Sequence, residues 1–233
     1  MGRDPVGDVQ VVASGARIAP ADPLVVVDRD FSEVRFHDLL TDADIVDPVV
    51  LPGVQDKVST CVLSLPLGRA GSSYLLKLDV SEFPYMVANE AYFLDLAKQC
   101  RVPAAVAHVV RDADDRPGLL VRRFDRLPSP GGGRRALACE DACQVLDRWP
   151  GDKYNVTAEA ALTALAAVCA SSATALRSGF QQLCFARLTG NGDVHAKNLS
   201  VLAAPSGRAA DLTGVRPPLH RAVRRLDSRP VHG

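Results

Sequence analysis

Asp193 and Asn198, within Gly190-Asn191-Gly192-Asp193-Val194-His195-Ala196-Lys197-Asn198, set one carboxylate and one carboxamide four intervening residues apart. Phosphoryl transfer uses that spacing: the Asp orients a substrate hydroxyl and accepts its proton, while the Asn holds a magnesium ion on the nucleotide phosphates. The same letters also write an ordinary Asn-Gly/Gly-Asp turn. What surrounds the pair therefore decides its meaning. His195 lies between the two and is expected to brace the loop by hydrogen bonds, because Asp193 already fills the role of base.

Further motifs occur in a fixed order: Leu51-Pro52-Gly53-Val54-Gln55-Asp56-Lys57, Tyr74-Leu75-Leu76-Lys77, Asn89-Glu90-Ala91-Tyr92-Phe93, Arg123-Phe124-Asp125-Arg126, Glu140-Asp141-Ala142-Cys143-Gln144 and Lys153-Tyr154. Together with the loop they resemble the successive motifs of the HipA-like serine/threonine kinases, the toxins of bacterial toxin–antitoxin pairs, from about residue 1 to about residue 205. The resemblance implies a protein-kinase-like, two-lobed α/β (α+β) fold with a small β-rich N-lobe and a helical, incomplete C-lobe. It implies Mg-ATP as cofactor, with Lys77 on the phosphates and paired with Glu90, and with Gly53, Val54, Gln55 and Lys57 offering a loop to phosphate oxygens. The absence of a Cβ at Gly53 permits such close approach. The backbone from Arg122 to Phe124 would hold the adenine edge, Lys197 would stand beside the nucleotide, and Asn198 would be the metal ligand. A serine of a protein substrate and a helix-turn-helix antitoxin are the implied partners. Each residue also has a plainer reading: Lys77 as an exposed strand lysine, Glu90 paired with an arginine or with solvent, Pro52-Gly53 as a turn.

The resemblance breaks near the end of the chain. A second magnesium-binding Asp, in a Tyr-Asp-Leu context, is expected near Arg216, where the sequence reads Val215-Arg216-Pro217-Pro218. Among the codons permitted for Asp211 to Arg225, one set read a nucleotide later encodes a segment containing Tyr-Asp-Leu. Residues 206–233 are accordingly expected to be an out-of-frame tail, and the chain to be truncated at both ends; Asp211 is the alternative metal ligand. Val50 stands where some members carry an autophosphorylated Ser, Arg122 replaces the usual hinge Glu, Ala138-Cys139 replaces His-Gln, and Asn155 follows Lys153-Tyr154 where Glu is common. Two rivals stay open. One is an inactive remnant that at most binds nucleotide or antitoxin. The other is a small-molecule phosphotransferase, which would lack the Gly53 to Lys57 and Glu140-Asp141 blocks.

Composition bounds these readings. The 233 residues suffice for one domain or two small lobes about a cleft, and equal Lys+Arg and Asp+Glu give a formal net charge of zero. No bulk attraction to nucleic acid or anionic membrane follows. The apolar stretches fall short of the ~20 residues that a membrane span needs, and the N-terminus lacks a basic segment followed by an apolar one. The expectation is a cytoplasmic protein without direct nucleic-acid or membrane binding. The six cysteines are scattered, and Cys139/Cys143 read as two buried thiols more readily than as half a zinc site.

Four segments are expected: 1–48, a remnant of an N-terminal subdomain and linker; 49–126, the N-lobe; 127–205, the helical C-lobe with the catalytic loop; and 206–233, the tail. Residues 1–48 lack strong helical periodicity. Thr60 to Leu65 and Tyr74 to Leu78 predict strands, Val87 to Gln99 a helix, and Val106 to Val110 and Leu119 to Phe124 two more strands about a charged turn with Pro117-Gly118. Beyond a break at Pro128 to Gly133, helices are predicted over Glu140 to Leu146, Thr157 to Leu176 and Gly179 to Leu188, then a buried strand over Leu199 to Leu202.

Overall fold

The computed structural model describes residues 6–9, 12–16, 25–26, 31–41, 62–69, 72–79, 84–129 and 134–203. The N-terminal part is a five-stranded sheet of order β1-β2-β3-β5-β4, made from β1 (Val25–Val26), β2 (Val62–Arg69), β3 (Ser72–Asp79), β4 (Ala107–Arg111) and β5 (Pro117–Arg122). β1 runs parallel to β2, and the remaining pairs are antiparallel. β3 is central, with Lys77 registered between Ser64 and Leu119.

Burial along β3 is continuous from Leu75 to Leu78 because both faces are covered. Alternate side chains of a strand point to opposite faces. Leu76 and Leu78, with Leu120, pack on Phe31, Phe36 and Leu39, from the segment that carries α1 (Phe36–Thr41). Leu75, with Leu119 and Val121, packs on Val87 and Leu94 of α2 (Met86–Gln99). Lys77 has the parity of Leu75 and so faces α2. Gly118 marks the tightness of the α1 side: a Cβ there would sit 2.8 Å from Phe36 Cε2 and 3.0 Å from Leu78 Cδ2.

β3 also starts α2. Tyr85, the N-cap, has φ 69° and offers no capping side chain. Asp79 at the end of β3 substitues for it, its Oδ2 accepting from Tyr85 N at 3.0 Å and its Oδ1 from Val87 N at 2.7 Å. A carboxylate at a helix N-terminus satisfies otherwise orphaned N–H groups and complements the helix dipole.

The chain leaves β5 through Arg122 to Asp125, forms the hairpin β6 (Arg126–Pro128) and β7 (Arg134–Ala136), and then pairs β8 (Cys139–Asp141) with β9 (Ser200–Leu202). Between β8 and β9 lie α3 (Ala142–Val145), a 3-10 turn (Pro150–Tyr154), α4 (Ala158–Ala167), α5 (Ser172–Leu188) and a second 3-10 turn (Ala196–Asn198). Their core is Ala142, Cys143, Ala161, Leu162, Leu165, Ala166, Cys169 and Ala175 against Ala196, Leu199 and Val201. A smaller cluster of Ala97, Val102 and Phe185 joins α2 to α5. No helix of the described residues is long and apolar enough to cross a membrane.

Several element boundaries differ from those predicted, each for a local reason. The helix expected over Thr157 to Leu176 is two helices: the Ser171 side chain caps α5 by accepting from Thr174 N, and Ser172 Oγ donates to Ala166 O at 2.8 Å at the end of α4. Serine hydroxyls compete with a continuing helix for backbone groups. Glu140 and Asp141 are strand, and Asp141 is the N-cap of α3, in a capping box with Gln144. Pro117-Gly118 opens β5, where a proline is tolerated at the first position. The turn precedes it and is built by Asp112 Oδ1, which accepts from Asp114 N and Arg116 N. The segment before residue 48 contains α1, pinned by Asp112 Oδ2 accepting from Phe36 N at 2.8 Å.

Candidate active site

Glu90 lies on the buried face of α2 with Val87 and Leu94, one helical turn along from the start fixed by Asp79. It meets Lys77 there: Nζ donates to Oε1 at 2.7 Å and to Oε2 at 2.9 Å. The two side chains are 6% and 9% exposed. A bidentate pair so far from water holds the ammonium at a fixed point and keeps the strand and helix in register. The plainer reading of Lys77 as a solvent lysine does not hold.

The hinge is fixed by charge. Asp125, 1% exposed, accepts from Arg123 Nε at 3.0 Å, Arg123 Nη2 at 2.8 Å, Arg126 Nη1 at 2.9 Å and Gly7 N at 2.9 Å. Burial alone would raise its pKa; the Arg123 hydrogen bond and the two guanidinium charges reverse this and hold it below the ordinary carboxylate value. Arg126 Nη1 returns a hydrogen bond to Gly7 O at 2.8 Å, so residues 7 and 125–126 clasp each other. At the hinge itself, Arg122 N donates to Val106 O at 2.8 Å and Arg123 N to Ser73 O at 2.9 Å. Those two N–H groups therefore serve the sheet and not an adenine edge. The Arg122 side chain is exposed, and Phe124 is half-buried.

The loop carrying Asp193 begins where α5 stops. Gly190, at φ +71°, reverses the chain, and Asn191 N reaches back to Ala186 O at 2.9 Å, a glycine-dependent helix ending. Asn191 Oδ1 accepts from Asp193 N at 3.1 Å, fixing the backbone of the candidate base. Tyr154 OH donates to Asp193 Oδ1 at 3.3 Å. Asn198 Oδ1 accepts from His195 N at 3.1 Å, and Asn198 N donates to His195 O at 2.9 Å. His195 is buried, which pushes its pKa below the ordinary imidazole value despite the opposing pull of Asp193. The hydrogen bonds that tie His195 to Asn198 are those of its backbone N–H and C=O, so it is the backbone of this residue and not its ring that braces the loop there.

Lys197 is placed differently from a residue reaching for nucleotide. Its Nζ donates to Asp141 Oδ2 at 2.6 Å, with both side chains nearly enclosed (7% and 5% exposed). Asp141 Oδ1 meanwhile accepts from Gln144 N at 3.0 Å, and Ala142 N donates to Leu199 O at 2.9 Å. One carboxylate thus caps α3 and anchors the loop. The Asp-x-x-Gln capping pattern was legible at Asp141 and Gln144; its link to Lys197 needed the β8–β9 pairing. Asp79, Asp125 and the Tyr154 hydroxyl contact are the other contributors that spacing alone did not assign.

The structure therefore brings Lys77 to Glu90 in the sheet half and gathers Asp193, His195, Lys197 and Asn198 with Tyr154 and Asp141 in the helical half. Gly53, Val54, Gln55 and Lys57, and the tail with Asp211 and Arg216, lie outside the described residues. No group of three or more His, Cys, Asp or Glu able to hold a metal occurs among the described residues. The donor chemistry at Asn198 still fits magnesium, which takes hard oxygen ligands, uses one or two protein groups and fills the rest of its shell with water and phosphate. An amide oxygen has a second lone pair beside the one that accepts from His195 N.

Residues 49–215 match the model of the HipA-like C-terminal domain. A putative kinase, Y4mE, of Sinorhizobium fredii is 32% identical over 165 residues, 67% of this chain and 39% of the relative. The serine/threonine-protein kinase toxin HipA of Shewanella oneidensis is 30% identical over 157 residues, 60% of this chain and 35% of the relative. The chain thus spans less than half the length of these curated relatives. The Shewanella oneidensis HipA structure, solved with HipB and operator DNA, superposes with a TM-score of 0.65 at 23% identity, covering 93% of this chain and 54% of that one. The fold is the protein-kinase-like one of HipA, and the chain belongs to the HipA-like C-terminal domain family.

Proposed function

We propose that the chain carries the phosphate-transfer core of a HipA-like serine/threonine protein kinase that uses Mg-ATP, the toxin of a toxin–antitoxin pair. The observation that supports this most is the buried Lys77–Glu90 pair within a family-matched segment that also contains the Asp193/Asn198 loop. An ammonium held by a glutamate at a fixed point on a central strand is preorganised to meet phosphate charge without further ordering. Magnesium, when bound, would offset the charge of the phosphates. Asn198 would supply its protein ligand. Asp193 would orient the substrate serine hydroxyl and take its proton, with the loop backbone set by Asn191 and Asn198. Lys197 would act from behind, by holding the loop to Asp141. The adenine edge would meet hinge groups other than the N–H groups of Arg122 and Arg123. The Gly53, Val54, Gln55 and Lys57 loop would cover the phosphates, and the expected domain limits would stand.

A helix-turn-helix antitoxin is the proposed partner, in keeping with the HipB-bound relative. With zero net charge, DNA would be met through that partner rather than by this chain. A cytoplasmic location accords with these roles. The reading of an inactive, nucleotide-binding remnant has its own support, since Asn198 alone is offered to the metal among the described site residues. Two measurements separate these readings: a Mg-ATP-dependent thermal shift, and transfer of labelled phosphate from ATP to a protein acceptor. Transfer that vanishes in Asp193→Asn supports the kinase; a thermal shift without transfer supports the remnant; neither effect would refute both.

A further inference from the structure

We infer that Tyr154 is a positioning residue that orients the Asp193 carboxylate through its phenol; this rests on the reading of Asp193 as the base. Tyr154 ends the 3-10 turn Pro150–Tyr154, which is closed by Asp152 N donating to Trp149 O and Asn155 N to Asp152 O. Its ring meets the buried His195 edge-on, with centroids 5.1 Å apart at 84°, and Lys153 Nζ lies 5.0 Å from the ring centroid. These contacts, an aromatic edge and a cation, fix the ring and so aim the hydroxyl. The hydroxyl is 3.3 Å from Asp193 Oδ1.

Packing does not explain the phenol, because Tyr154 is 63% exposed. His195 Nδ1 has no hydrogen-bond partner among the described residues, so that nitrogen does not hold the Asp193 carboxylate. The backbone of Asp193 is fixed by Asn191, which leaves its side-chain rotamer to be set by Tyr154. With Oδ1 engaged by the phenol, Oδ2 is the oxygen presented to a substrate hydroxyl.

The test uses the full chain with Tyr154→Phe, which keeps the ring. The expected result is a kcat about ten-fold lower, an unchanged KM for ATP, and an unchanged melting temperature. An unchanged kcat, or a loss that comes with a raised KM for ATP or a lower melting temperature, overturns the inference. If the unmodified chain transfers no phosphate, the kinase reading fails by itself, and labelled tyrosine decides this one. The chain has four tyrosines, so the Tyr154 ¹³Cζ resonance is assignable by its loss in Tyr154→Phe. Its displacement by Asp193→Asn supports the contact; its indifference to that change refutes it.

Discussion

Removing the Glu90 carboxylate should be far more damaging than removing both members of its pair. In Glu90→Leu the Lys77 ammonium, 6% exposed and 2.7 Å from its partner, would be left charged and enclosed. Breaking a buried pair by removing one member costs about 3–5 kcal/mol, a large part of the roughly 5–15 kcal/mol that holds a domain folded. For a chain of this size about 2–4 °C accompanies each kcal/mol, so the melting temperature should fall by roughly 6–20 °C. Lys77→Met with Glu90→Leu replaces the pair by apolar groups of similar length facing Leu75, Val87 and Leu94. That double variant should recover most of the loss, because no charge is left to desolvate. It should nevertheless give no Mg-ATP-dependent thermal shift. Differential scanning calorimetry of the unmodified chain, the single variant and the double variant, each with and without Mg-ATP, reads all of this. A double variant as unstable as Glu90→Leu, or one that still responds to nucleotide, would refute the reasoning.

Asp125→Asn should cost about 3 kcal/mol at neutral pH, since it removes the buried carboxylate that the Arg123 and Arg126 guanidinium groups share. Because the folded pKa of Asp125 is lowered, its stabilisation is complete above the unfolded value of about 3.9 and is lost as pH falls through the lower folded value. Urea titrations should therefore show the two proteins converging at acid pH and nowhere above it. Lys197→Met strands Asp141 and should destabilise by about 3 kcal/mol; hydrogen exchange should show added opening in the 190–198 loop and in α3 together, and opening confined to the loop would count against the tether. Gly118→Ala drives a methyl to 2.8 Å from Phe36 Cε2, and overpacking of that kind costs about 1–3 kcal/mol, measurable as a lower urea midpoint with an unchanged slope.

Periodicity made the N-terminal half readable where a single rule governed each element. α2 and the strands β3, β4 and β5 were expected within a few residues of where they stand, because α2 turns one apolar face to the sheet at helical spacing and β3 and β5, covered on both faces, are short apolar runs. The α4–α5 break was hidden because Ala-rich sequence continues helical spacing across Val168 and Cys169, and only the caps at Ser171 and Ser172 divide it. The site shows the same division. Asp193 and Asn198 announced themselves by separation in the chain, and the Lys77–Glu90 contact follows from strand parity once α2 is placed. The engagement of Lys197 by Asp141 and of Asp125 by Gly7, 118 residues away, depends on long-range pairing that no local pattern encodes.

Lys77 and the Asp193–Asn198 loop would serve one nucleotide. Manganese can stand in for magnesium on ATP, and its unpaired electrons broaden the NMR signals of nearby nuclei. Titrating ¹⁵N-labelled chain with Mn-ATP should bleach the amides of residues 193–198 and those of β3 around Lys77 at the same concentration, while Mg-ATP leaves them sharp. Bleaching of only one of these groups, or of neither, would contradict the account.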